Sequence, residues 1–192
     1  MNNKKILLVA ANELEFGGVD NLDGYAIHIT GIGKISAACN LTAMIFMLNP
    51  DVVINIGSCG NLKNHKVGDV LKVDNIFNDI DCRPFADYGT TPFSQYETIE
   101  LGSGSGIKCF TTDYFYDVNR TDYSQKYKEM IEQCDIVDME SYALAQVCIR
   151  LGVEFHSYKW VSDDGESNKW EENAAAGFEN FKSIFRNFVK DL

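Results

Sequence analysis

Residues 136–148 read IVDMESYALAQVC. A short apolar run passes straight into two carboxylates, Asp138 and Glu140, placed on either side of Met139, and a helical pattern starts at once. A buried strand that hands directly over to a helix is the mark of an α/β unit. The acids have an ordinary explanation, because carboxylates in a first helical turn meet the positive end of the helix dipole.

Outward from this stretch, the same alternation continues. KKILLVAA (4–11) has the length and apolarity of a buried first strand, and YAIHIT (25–30) alternates like a second. GIGKISAACNLTAMIFML (31–48) opens on two glycines and then spaces Ile35, Ala38, Leu41, Thr42 and Ile45 like a helix, which Pro50 and Asp51 stop. DVVINIG (51–57) is a β-branched strand, and VGDVLKVDNIFND (67–79) reads as one long strand. Residues 80–98, with Gly89, Pro84 and Pro92, are irregular, and loops of that length are commonly functional. GIKCFTT (106–112) is a strand, 123–133 a polar helix, and ESYALAQVCIRLG a helix closed by Gly152. VEFHSYKWVSD (153–163) is a final strand. In the tail from Asn168 to Asp191, Trp170, Ala174, Phe178, Phe181, Phe185 and Phe188 recur at helical spacing. The expectation is a single domain over 1–192, a central sheet with helices on both faces.

Composition narrows the function. The 192 residues, 45% of them hydrophobic, suit one globular core. Net charge is −11, from 17 basic and 28 acidic residues, which disfavours a groove for a nucleic-acid backbone. No apolar run approaches the roughly 20 residues that span a bilayer. The run ILLVAA is followed by acids rather than a cleavage site, so no membrane partner and a cytoplasmic location are expected. Six cysteines form no CxxC pair and only three histidines are present, so neither a metal nor a cofactor is expected and the thiols read as reduced fillers.

Ligands of open α/β sheets bind beyond the carboxyl ends of the strands. Those ends carry Asn12, Glu13 and Glu15; Gly57-Ser58-Cys59-Gly60; Asp138-Met139-Glu140; and Ser162-Asp163-Asp164. Ser58 between glycines is a tight turn or a place where a ligand approaches backbone closely. Ser162-Asp163 has the composition of an N-cap for the tail helix, although the helical pattern there starts several residues later. GIGKIS lacks the third glycine of a dinucleotide fingerprint and is discounted.

Taken in order, ANELE, GIGKISAACN, PDVVINIGSCG, VGDV, TTDYFY, VDMESYALAQVC and VSD resemble the purine nucleoside phosphorylase superfamily, and most closely its methylthioadenosine/S-adenosylhomocysteine nucleosidases. The resemblance implies a three-layer α/β/α sandwich around a central mixed, partly barrel-like sheet, nucleoside phosphorylase-like in class. It implies Asp163 as the acid that serves N7 of the purine, Glu140 as the carboxylate on the ribose hydroxyls and Glu15 as the acid that activates water. It places Phe115 against the base and Met139 under the ribose, with Ser58, Asp138, Ile32, Ser162 and Lys159 around them. It also implies a homodimer in which the 80–98 loop, with Arg83, Phe85 and Asp87, reaches toward the 5′ side of a neighbour's pocket.

Breaking an N-glycosidic bond leaves positive charge on the sugar and negative charge on the base, so a purine departs readily only when protonated. The acid, the base toward water and the sugar-hydroxyl acceptor are then three separate carboxylates. Phosphorolysis would instead call for arginines, which grip phosphate bidentately. Where the phosphorylases have Arg three residues before the serine of the GS loop, this chain has Asn55, and its AANELE turn has no basic residue. That favours water, although GSCG itself looks phosphorylase-like, and a nucleoside-binding protein without catalysis stays open. Lys159 stands where the nucleosidases usually have Arg, the 16–30 segment is short, and Asn12 replaces an apolar residue. These departures leave the 5′ substituent open, with Arg83 as the partner for a phosphate there or as an ordinary ion-pair residue.

Overall fold

A computed structural model describes residues 4–93, 98–165 and 170–190. In chain order the elements are β1 (Ile6–Ala10), a 3-10 turn (Glu13–Phe16), β2 (Asn21–Leu22), β3 (Tyr25–Ile29), α1 (Lys34–Leu48), β4 (Val52–Asn61), β5 (Val70–Lys72), β6 (Asn75–Asn78), β7 (Ile99–Glu100), β8 (Lys108–Thr111), α2 (Gln125–Gln133), β9 (Ile136–Asp138), α3 (Ser141–Leu151), β10 (Glu154–Asp163) and α4 (Trp170–Lys190).

Strand β4 is the hub. β1 lies parallel along its first half, Ile6 opposite Val52, and β9 runs antiparallel to its far end, Val137 opposite Gly60. On its other edge β10 stays parallel for the whole length, from Glu154 opposite Val52 to Asp163 opposite Gly60. β10 then pairs with β5, β6 with β8, and β8 with β9. The short link from β5 to β6 therefore closes a ring of strands back to β4, which gives the mixed sheet its partly barrel-like half. The ring brings the ends of β4, β9 and β10 side by side.

Period-two alternation sorts the strands' side chains between two helical layers. Leu7, Val9 and Val53 pack with Ala37, Leu41 and Ile45 of α1 and with Leu144, Ala145 and Cys148 of α3. Leu8, Ala10, Ile54 and Ile56 face the opposite way, onto Phe178, Phe181 and Phe185 of α4. Each of those phenylalanines is fully buried, worth roughly 1.5–3 kcal/mol apiece. Tail periodicity thus becomes one whole layer of the sandwich. Helix ends follow local chemistry: Asn49 (φ 45°) and Gly152 (φ 68°) close α1 and α3 in the left-handed conformation. No helix among the described residues is long and apolar enough to cross a membrane.

Three expectations change. The stretch 67–79 is two strands, not one, because the chain leaves β10 and joins β8; at the break Asp74 accepts hydrogen bonds from Ser103 Oγ and the Gly104 and Gly106 amides. The strand read as ending at residue 57 runs to Asn61, so GSCG is not a turn but paired strand, held by β10 on one edge and β9 on the other. Asp163 does not cap the tail helix, since it is the last residue of β10. Residues 79–93 contain no helix or strand, as expected; the remainder of that irregular stretch, residues 94–97 with Tyr96, lies outside the described residues, as does Asn168.

Candidate active site

The sequence ANELE builds the first wall. Asn12 caps the 3-10 turn by accepting from the Leu14 amide at 3.0 Å, and the Glu15 carboxylate reaches back to the Ala11 and Asn12 amides at 3.1 and 3.2 Å. This is a capping box, with the two side chains satisfying each other's backbone donors. Asn12 is thereby explained by local structure. The other oxygen of Glu15, Oε1, accepts from the amide and the hydroxyl of Ser58, both at 2.8 Å. A β-carbon on Gly57 would stand 2.8 Å from that oxygen, so the glycine makes room for the carboxylate.

The two acids of the opening motif part company. Asp138 does the helix-start work: its Oδ2 accepts from the Ser141 amide at 3.0 Å, at the first residue of α3. The same oxygen is 2.8 Å from Lys159 Nζ, and Oδ1 accepts from Thr111 Oγ1 at 2.7 Å. Burial alone would push the Asp138 carboxyl up, but Lys159 and the hydroxyl donors outweigh it and hold it low. Glu140 makes no capping bond. It turns to the loop before α1 and accepts from the Gly33 amide at 2.9 Å. Burial pushes it up to about 8, with Asp138 and Glu15 adding to the rise and Lys159 opposing it.

The third acid sits at the end of β10. Asp163 accepts from Ser162 Oγ at 2.7 Å and from the Gly165 amide at 2.8 Å. Burial raises its carboxyl above the ordinary value despite these donors. Gly165 (φ +86°) lets Tyr116 close over this turn, since a β-carbon there would lie 2.7 Å from the tyrosine ring.

One cavity collects these groups. Glu15, Ile32, Ser58, Phe115, Asp138, Met139, Glu140, Ser162 and Asp163 all line it, so nine of the residues expected from the sequence converge. Lys159, Arg83 and Phe85 are not among its lining residues. Lys159 is only 2% exposed, sealed beneath the floor on Asp138 and held charged by that carboxylate and by Glu140 and Glu15. Arg83 forks onto Asp81 at 2.8 and 2.6 Å, and Phe85 is 83% exposed. Asn55, which stands in place of the phosphorylase arginine, is spent on Ser157 and Ser141 hydroxyls at 3.1 and 3.3 Å.

Trp170, Tyr114 and Tyr116 also line the cavity. Sequence patterning gave Trp170 only an apolar place in the tail. Its indole N–H donates to Ser58 Oγ at 2.9 Å, a contact across the molecule for which the sequence holds no local signal. TTDYFY, which carries the two tyrosines around Phe115, was the one available pointer to them.

The family model described as the phosphorylase superfamily matches residues 13–190. The 5′-methylthioadenosine/S-adenosylhomocysteine nucleosidase of Haemophilus influenzae is 30% identical over 189 residues, covering 89% of this chain and 80% of that one. Its namesake in Geobacillus thermodenitrificans is 28% identical over 183 residues, covering 85% and 76%. The crystal structure of the Colwellia psychrerythraea nucleosidase in complex with adenine superposes with a TM-score of 0.82 at 21% identity, over 100% of this chain and 96% of that one. By family model and by sequence, the chain belongs to the phosphorylase superfamily and groups with its 5′-methylthioadenosine/S-adenosylhomocysteine nucleosidases.

Proposed function

We propose that this protein hydrolyses the N-glycosidic bond of a purine nucleoside, of the methylthioadenosine or adenosylhomocysteine kind, to free base and sugar. The observation that carries the reading is a cavity lined by four carboxylates, Glu15, Asp138, Glu140 and Asp163, with no lysine or arginine among its described lining residues. Phosphate would enter such a site with no cationic side chain among the described lining residues to receive it. Water meets no such barrier. The names of the curated relatives support the same choice.

In this reading Asp163, whose carboxyl is raised above its ordinary value by burial, gives its proton to N7 as the bond from the base to C1′ breaks. Glu15 takes a proton from the water whose oxygen bonds to C1′. Glu140 accepts the ribose hydroxyls, Met139 lies under the sugar, and Phe115 covers the base. Each role asks for the environment its residue has: a raised acid, a carboxylate fixed by its hydrogen bonds and a clamp at the sugar. The reading treats residues 1–192 as one nucleosidase-like domain. It takes the enzyme to be cytoplasmic, where six free thiols persist, and dimeric, with the exposed Phe85 and Phe93 available to a second copy.

The test is incubation with methylthioadenosine, adenosylhomocysteine, adenosine, inosine and AMP, with and without phosphate, followed by chromatography. Free base and free sugar in both conditions are expected. Ribose 1-phosphate formed only with phosphate would establish a phosphorylase instead, and base release from none of the five would leave a binding protein.

A further inference from the structure

The Glu15 carboxylate receives four hydrogen bonds, from the Ala11 and Asn12 amides at Oε2 and from the Ser58 amide and hydroxyl at Oε1. An ionised carboxylate offers about four lone-pair sites, so the protein occupies all of them. Three of the donors are backbone amides and cannot turn. The Ser58 hydroxyl is the only one on a rotatable bond, so it is the donor that must yield when a water hands Glu15 a proton.

What holds that hydroxyl is Trp170. An indole N–H can only donate and a carboxylate can only accept. With Trp170 Nε1 at 2.9 Å and Glu15 Oε1 at 2.8 Å, the Ser58 hydroxyl has one consistent arrangement: it accepts from the indole and donates to the acid. The tryptophan also keeps the serine oxygen in place while its hydrogen swings away from Glu15. We infer that Trp170 is a positioning residue for Glu15, acting through the Ser58 hydroxyl. It ties the first residue of α4, a helix otherwise concerned with packing Phe178, Phe181 and Phe185, to the group facing the water. The inference rests on the reading of Glu15 as the base.

A double-mutant cycle on the full chain tests it. Trp170→Phe keeps an aromatic ring against the cavity and removes the N–H. Its kcat on methylthioadenosine should fall about tenfold, with KM within about threefold of wild type. Ser58→Ala should lower kcat as well, and adding Trp170→Phe to it should cost nothing further, because the link is already gone. An unchanged kcat for Trp170→Phe, or a full second loss in the Ser58→Ala background, overturns the proposal.

A readout independent of turnover comes from the indole N–H resonances. The chain has two tryptophans; Trp160 Nε1 is buried with no hydrogen-bond partner among the described residues, and Trp170→Phe identifies the other resonance. Ser58→Ala must shift the Trp170 resonance, and an unmoved one sinks the relay even in an active enzyme. A shifted resonance in a protein that releases no base would keep the relay and remove the hydrolytic reading.

Discussion

Glu140→Gln should make the protein more stable toward alkaline pH. The variant keeps an oxygen to accept from the Gly33 amide, 2.9 Å away in the parent, and loses only the ability to ionise. In the parent the folded pKa is about 8 against an ordinary value of 4.5. Between those values the folded chain holds a proton that the unfolded chain has released, so stability falls as pH rises. The penalty is absent below about 4.5 and complete above about 8. Each pH unit within the window is worth about 1.4 kcal/mol, so from pH 5.5 to 7.5 the parent should lose on the order of 3 kcal/mol that the variant does not.

Groups remote from Glu140 titrate equally in both proteins and cancel in the difference. Asp138 and Lys159, whose shifts favour their charged forms, keep their charges throughout. Urea unfolding of both proteins at the two pH values and one ionic strength measures the effect, which corresponds to roughly 5–10 °C in Tm for a chain of this size. A parent-minus-variant difference that stays flat within about 0.5 kcal/mol would refute the claim that burial keeps Glu140 protonated. A difference that grows in the parent's favour would reverse its sign.

Asp163→Asn should cut kcat on methylthioadenosine by about 10²–10⁴-fold with the fold retained; steady-state kinetics beside circular dichroism decide it, and full activity would remove Asp163 as the acid. Lys159→Met leaves a buried carboxylate without its partner and should cost about 3–5 kcal/mol in urea unfolding. The Asp138→Asn/Lys159→Met pair should recover part of that loss, and a fully additive double variant would show that the two do not act as an ion pair. Gly57→Ala places a carbon 2.8 Å from Glu15 Oε1, displacing the carboxylate, and should lower kcat by about 10²; a crystal structure with Glu15 unmoved would contradict this.

Much of the site is legible without coordinates because its acids stand at strand ends, and strand ends are visible as places where apolar runs stop. ILLVA before ANELE, VVINI before GSCG and IVD before MES each announce a boundary through local hydrophobic pattern. The tail's phenylalanine spacing likewise announces a helix that packs on something apolar. The break at Val73–Asp74 could not be found this way, since VGDVLKVDNIFND keeps its strand-like pattern through the point where its partner changes from β10 to β8. Nor could the continuation of β4 through two glycines, which local propensity assigns to a turn.

IVDMESYALAQVC shows where the division lies. By itself the stretch determined that a strand meets a helix and that two acids sit at the junction, because periodicity and helix-end electrostatics are properties of neighbours in the chain. Which acid caps the helix and which faces the cavity was decided only by residues far away: Lys159 and Thr111 draw Asp138 inward, and the Gly33 amide receives Glu140. The same holds for Trp170 reaching Ser58 across 112 positions. A buried polar group must take whatever partner the packed core brings within hydrogen-bond distance, and that choice exists only after the sheet has closed and the helices have docked.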